Sequence, residues 1–266
     1  MIKISRSVFC WLVIITMSAP LFIVAGVSVN QRKLLFFPPR GFSLRWYEEV
    51  FTKAPWFEAL TASLSIAVMA GIIALSVALP TAYSLWRYKI RYAKALYSIG
   101  LLPFALPPVI TALGMLMWWA QFGATGNYWG IALGHGVFLI TLPMVMISLG
   151  LESIDQELLE AARTMGANNT TTFRTVVLPM VAPYMVAGFA FAFVLSMNEF
   201  IISFFLGQFA VQTLPVKIFS SLRSGYTPTI ASVSVMFILL AVIVFGLVAR
   251  FGDLPRLLGA WAAKDR

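Results

Sequence analysis

Residues 151–179 read LESIDQELLEAARTMGANNTTTFRTVVLP, and everything on either side is read against this stretch. It holds Glu152, Asp155, Glu157 and Glu160, four of the chain's 10 acidic residues, together with Arg163 and Arg174. Leu158, Leu159, Ala162, Met165 and Phe173 recur between them at roughly helical spacing, which predicts two short helices. Gly166 stands where the first should end, because glycine enters the left-handed conformation of a helix C-terminus without a Cβ penalty. Asn168 or Asn169 supplies an N-cap for the second. The stretch is thus a folded polar loop, and it is conspicuous because its flanks are apolar.

Working outward, apolar runs fall at about 8–29, 57–84, 95–120, 128–150, 182–206 and 229–251. A helix needs about 20 apolar residues to cross the hydrocarbon core, so the pattern predicts an all-α membrane protein of six transmembrane helices. The chain is 60% hydrophobic and only 11% charged, whereas a soluble domain carries about a quarter charged residues. A spanning β-barrel would show alternating segments of about 10 residues instead. Lys3 and Arg6 ahead of an apolar run have the look of a secretory signal, but the run continues past Pro20 to Val29 and is read as a retained first helix.

Basic residues orient the spans. Lys3, Arg6, Arg87, Lys89, Arg91, Lys94, Arg163, Arg174, Arg250, Arg256, Lys264 and Arg266 fall on one side, and Arg32, Lys33, Arg40, Arg45, Lys53, Lys217 and Arg223 on the other, twelve and seven of the 19. Both termini and the 151–179 loop are therefore expected in the cytoplasm. The net charge of +9 reflects this topology and not a nucleic-acid-binding surface. Cys10, the single cysteine, lies in the first span as a packing residue. His135, the single histidine, sits between Gly134 and Gly136 and is read as a buried, hydrogen-bonded side chain. The sequence nominates no catalytic, cofactor-binding or metal-ligating residue, and no Gly-x-x-x-x-Gly-Lys-Ser/Thr loop occurs, so the chain by itself binds no nucleotide.

Two outer segments and one span carry further signals. Phe37-Pro38-Pro39-Arg40-Gly41 is a turn. It leads to Trp46, Tyr47, Val50 and Phe51 at helical spacing, read as a short interfacial helix that either anchors in the aromatic belt or meets a periplasmic partner. The outer loop 207–228 carries Pro215, Gly225 and Pro228. Pro103, Pro107 and Pro108 predict a bent third span, since proline removes backbone hydrogen bonds.

Within the central loop, Glu160-Ala161-Ala162 is followed after three residues by Gly166, and after nine more by Val176-Val177-Leu178-Pro179. This spacing resembles the signature loop of permeases of binding-protein-dependent ABC importers, departing only at Val176, where isoleucine is usual. The resemblance implies a type I ABC importer permease fold. It further implies a second permease subunit, two ATPase subunits that hold ATP and Mg and dock on 155–178, and a periplasmic substrate-binding protein. Glu160, Ala161, Ala162, Gly166, Leu178 and Pro179 are the implied ATPase-coupling residues. The alanines keep the helix slim and Gly166 permits a sharp reversal. Pro179 starts the fifth span, where proline costs little. Glu160 is left to pair with a basic residue of the loop or of a neighbouring subunit.

Ser196-Met197-Asn198-Glu199-Phe200 places the one clear acid inside a span, roughly 25–30 Å along the helix from its cytoplasmic start. Ionisable residues in the bilayer mark functional sites by default. Asn198, Glu199 and Phe200 are accordingly nominated for the substrate path. Glu199 either faces a cationic solute or is a structural carboxylate bonded to Asn198, Ser196 or a neighbouring helix. Asn198-Glu199-Phe200 and Thr213-Leu214-Pro215-Val216-Lys217-Ile218 resemble the spermidine/putrescine branch, which implies a polyamine substrate and a second permease of different sequence. Pro107-Pro108 departs from that branch, where an acid often follows the proline. Relatives moving aminoethylphosphonate, opines or ferric iron share the general pattern. An ion-coupled secondary carrier would explain the spans but not the loop.

Overall fold

The computed structural model describes residues 2–225 and 227–251. Among these, every named element is a helix, and the strand-like geometry is one isolated bridge between Asn30 and Phe42. Arg256, Lys264 and Arg266, three of the basic residues used to place the C-terminus, lie outside the described residues.

In chain order the helices are α1 (Ile2–Ser28), α2 (Arg45–Thr52), α3 (Ala54–Tyr88), α4 (Arg91–Ala105), α5 (Pro108–Ala120), α6 (Tyr128–Leu139) and α7 (Thr141–Glu152). They continue as α8 (Gln156–Thr164), α9 (Asn169–Thr172), a π-helical turn (Phe173–Val177), α10 (Leu178–Asn198), α11 (Ile201–Gly207), α12 (Leu214–Ser224) and α13 (Pro228–Phe251). Among the described residues four helical stretches are long and apolar enough to cross a bilayer alone: Ser7–Ser28, Ala54–Tyr88, Asn169–Asn198 and Pro228–Arg250. Two bent pairs, α4 with α5 and α6 with α7, bring the number to six if each pair is one span.

Three of the expected spans are reshaped. The third is broken, with 114° between α4 and α5. A residue ahead of proline is pushed out of the helical region, and both residues in front of the two prolines obey: Leu106 has φ −87° and ψ 151°, Pro107 φ −55° and ψ 129°. Pro108 then opens α5 at a position where its missing N–H is not needed. The fourth span bends by 45° at Ile140. Pro143 cannot donate to the Leu139 carbonyl four residues back, so the ladder opens there. The fifth begins earlier than residue 182 and ends earlier than 206. It runs unbroken from Asn169 to Asn198, and α11 follows as a separate short helix. Pro179 consequently lies inside a continuous helix and not at a free start. The preceding π turn, in which Leu178 donates to Phe173 five residues back, shifts the ladder just where proline has no N–H to offer.

The described chain forms two compact units. In the first, residues 1–61 with 214–240, Asn30 organises the segment that follows α1. Its side chain donates to the Leu34 and Phe36 carbonyls and accepts from the Arg32 and Arg40 amides, while its own carbonyl accepts Trp46 Nε1 at 2.6 Å. Ser28 bonds Tyr47 at 2.8 Å, Ser232 donates to the Ser28 carbonyl at 3.1 Å, and Thr229 donates to Glu49 at 2.7 Å. Glu49 also pairs with Lys53. Trp46 and Val50 of α2 are therefore buried in protein, correcting the expectation that this helix anchors in the aromatic belt; Phe51 remains exposed.

The second unit, residues 62–213 with 241–266, holds the signature loop. Along α3, Ala62, Ile66, Ala70, Ala74, Ala78 and Ala82 recur every fourth residue and are buried, a small-residue face that lets helices approach closely. Glycines do the same on α6, α7 and α10. A Cβ at Gly188 would come within 2.7 Å of Pro143 backbone, and one at Gly136 within 2.7 Å of Ile73. One apolar cluster gathers Ile66, Met115, Ile131, Leu139, Ile202 and Leu206. A second gathers Ala82, Met144, Ile147, Leu151, Leu159 and Val177, so the polar loop is tied into the core.

Candidate functional site

The loop is built by local hydrogen bonds. Asp155 caps α8, its carboxylate accepting the Glu157 amide at 3.0 Å. At the other end Gly166 takes φ +82°. Its amide donates to Arg163 at 2.9 Å and that of Ala167 to Ala162 at 3.0 Å, the paired bonds of a Schellman terminus. A Cβ on Gly166 would meet nothing within 4 Å. Backbone conformation, not space, is thus what calls for glycine here. Asn168 supplies the second cap, accepting the Thr171 amide at 2.8 Å, and Phe173 packs edge-on against Tyr83 of α3 with centroids 4.8 Å apart.

The two alanines of the signature divide. Ala162 and Leu159 face inward and are buried, while Glu160, Ala161 and Leu158 are exposed. Met165 is 83% exposed at the tip. Among the described residues Glu160 has no ion pair; Thr164 donates to its carbonyl. Leu178 is half-buried and Pro179 exposed. A short capped helix thus presents one free face, carrying Glu157, Leu158, Glu160, Ala161 and Thr164.

The second site lies at the α10–α11 break. Glu199 leaves the helix with φ −74° and ψ 117° and turns its carboxylate onto the start of α11. Oε1 accepts the Ile201 amide at 3.1 Å, and Oε2 accepts the Ile202 and Ser203 amides at 2.8 and 3.3 Å. The carboxylate is therefore compensated by backbone N–H groups. Neither Asn198 nor Ser196 is its partner: Asn198 Nδ2 donates to the Val194 carbonyl at 2.8 Å, and Ser196 turns to His135. The rings of Phe200 and Phe204 lie 5.4 Å apart.

His135 is wholly buried and bridges two helices as the expected satisfied histidine. Its Nδ1 lies 2.7 Å from Ser196 Oγ and its Nε2 3.0 Å from Ser203 Oγ. Ser203 donates to the Glu199 carbonyl at 3.1 Å. With that hydroxyl proton committed, Nε2–H donates to Ser203 and Nδ1 accepts from Ser196. The same Nε2 is 3.5 Å from Glu199 Oε2. A Cβ at Gly134 would stand 2.5 Å from Leu206. The glycine on that side of the histidine is what lets α6 close on α11. Sequence reasoning left His135 and Ser203 out of the site; the Gly-His-Gly pattern was the one signal of close approach. Among the described residues no group of three His, Cys, Asp or Glu side chains is placed to hold a metal.

Comparison with known proteins bears directly on the loop. The family described as "Binding-protein-dependent transport system inner membrane component" matches residues 68–253, a stretch containing both the exposed helix and the break. The chain belongs to that family. It is a permease subunit of a binding-protein-dependent ABC importer and a multi-pass protein of the bacterial inner membrane. It is similar to the spermidine/putrescine transport system permease protein PotC of Haemophilus influenzae, 28% identical over 236 residues, covering 89% of this chain and 91% of that one. It is also similar to the putrescine transport system permease protein PotI of Escherichia coli, 30% identical over 255 residues, covering 93% and 88%. Among solved structures it shares its fold with a chain of a bacterial ABC transporter involved in the import of the acidic polysaccharide alginate. There the TM-score is 0.70 at 18% identity, covering 94% and 96%. A chain of the MetNI methionine ABC transporter in an inward-facing conformation gives 0.62 at 19%, covering 75% and 97%. The secondary-carrier alternative is set aside by the family.

Proposed function

We propose that this permease imports a small organic polycation of the polyamine class as one half of a transmembrane dimer whose other half is a distinct permease chain. Two ATPase subunits, which hold ATP and Mg, dock on the 155–178 loop, and a periplasmic binding protein delivers the solute to the outer face. Both termini are cytoplasmic in this reading, as the excess of basic residues on that side requires. Closure of the ATPases drives the α8 helices together and opens the outer gate.

The exposed face of α8 carries the coupling part of the reading. Capped at both ends and anchored through Leu159 and Ala162, it is stiff enough to transmit motion. Glu160, Ala161, Gly166, Leu178 and Pro179 complete the coupling set. Similarity to PotC and PotI over about nine-tenths of the chain supports the substrate class. Asn198, Glu199 and Phe200, at the break that ends the fifth span, are its substrate-path residues. A second reading is 2-aminoethylphosphonate. It has the support of a putative 2-aminoethylphosphonate transport system permease protein, PhnV of Salmonella typhi, which is 30% identical over 228 residues, and it keeps an ammonium group on the solute.

ATP-dependent uptake of labelled putrescine and spermidine by proteoliposomes holding the complete complex tests the reading. Uptake is expected for the unaltered chain and absent for Glu160→Lys and Gly166→Pro, both still inserted in the membrane. Full uptake by both variants would sink the coupling role. Binding-protein-stimulated hydrolysis without polyamine uptake would return the substrate class to 2-aminoethylphosphonate and other solutes.

A further inference from the structure

We infer that His135, with Ser196 and Ser203, is a positioning device for the Glu199 carboxylate, holding the α10–α11 break in one geometry so that the charge is presented in a fixed direction. This rests on the reading above, in which Glu199 belongs to the substrate path. The device spans three helices of one compact unit. Ser196 sits in the last turn of α10, Ser203 in the first turn of α11, and His135 on α6 joins them through the two nitrogens of one ring. An imidazole is rigid and planar, so bonds at its two nitrogens, which point in diverging in-plane directions, fix the separation and the mutual rotation of the two helix ends.

Glu199 lies between those ends. Its backbone carbonyl accepts from Ser203, and its Oε2 accepts two α11 amides beside Nε2. Among the described residues Oε1 accepts one amide, so a carboxylate with further acceptor capacity keeps a lone pair for another donor. The side chain is 9% exposed, His135 not at all. His135 therefore touches no solute and acts only through Glu199. A carboxylate already held by backbone amides costs little to reorganise when an ammonium arrives, which is the benefit of preorganisation.

Two measurements on the assembled transporter test this. The first is hydrogen exchange of the backbone amides of 199–204, which needs no knowledge of the solute. His135→Ala should speed exchange of the Ile201, Ile202 and Ser203 amides while residues 182–194 stay protected. His135→Gln, which can still bridge one serine, should restore part of the protection. The second is putrescine uptake with KM and maximal rate separated. Weakening one contact between Glu199 and the solute is worth about a three- to tenfold change. His135→Ala is thus expected to raise KM by about that factor with little change in maximal rate, and Glu199→Gln to raise it further. Unchanged exchange in His135→Ala would overturn the inference, as would a fall in maximal rate and in ATPase stimulation with KM intact. A raised KM in Glu199→Gln with none in His135→Ala overturns the positioning role and leaves the substrate path standing. No effect of Glu199→Gln overturns both.

Discussion

The end of α8 and the end of α10 solve the same problem in opposite ways. α8 stops at Gly166, and the bonds that finish it come from residues within five positions along the chain. α10 stops at Glu199, where the carboxylate caps the next helix while the serines on either side are joined by His135, more than 60 residues away. A terminus made from its own neighbours tolerates exposure and can be offered to another subunit. A terminus made from three helices is buried and resists movement. In the function proposed above, the first serves as the coupling element and the second as a fixed point in the transport path.

Substitutions can break or sharpen this contrast, and the largest effect belongs to Gly166. Gly166→Pro should abolish uptake, because proline cannot take the observed positive φ. The milder Gly166→Ala should cost about 1–2 kcal/mol of local stability, visible as faster exchange of the α8 amides with α10 unaffected. Loss of α10 protection as well would show that the two ends are not independent.

Next come the two alanines. Ala162→Leu forces a larger side chain into a buried position and should destabilise by about 1–3 kcal/mol, read as a lower melting temperature of the purified complex. Ala161→Leu, on the exposed face, should leave melting unchanged and lower the uptake supported per ATP hydrolysed. Equal effects of the pair would mean that α8 does not present the face described.

At the third span, replacing Pro107 and Pro108 together with alanine restores two amides and the helical region for Leu106. The 114° break should relax, and distance measurements between spin labels on α4 and α5 should lengthen. The smallest change is expected for Asn168→Ala. It removes one capping bond worth about 1 kcal/mol and should slightly loosen α9 without altering uptake.

What was legible in advance follows the same division. Glu160-Ala161-Ala162 with Gly166 and Leu178-Pro179 could be matched to the family from spacing alone, since the local conformations involved are set within one or two turns of helix. Asn168 as a cap, Gly166 in the left-handed region and the bend near Pro107 were legible for that reason too. Glu199 was legible as an anomaly, an acid in an apolar run. Its partners were not, because the capping amides became available only once α10 ended at Asn198. Trp46 and Val50 show the matching error. Their spacing described an amphipathic helix correctly and said nothing about whether lipid or protein would cover it.

By itself the sequence determined the helical membrane class, the positions of the apolar runs and the signature loop. All three are one-dimensional properties: hydropathy sustained over about 20 residues, and glycine, proline and capping side chains acting within a turn. The tertiary structure alone decided how far the third span bends, which face of α2 is covered and what answers the charge of Glu199. Those outcomes depend on which distant helix arrives beside a given residue. Close approach, permitted by the glycines of α6 and the alanine stripe of α3, is a property of pairs of helices that no single stretch of chain contains.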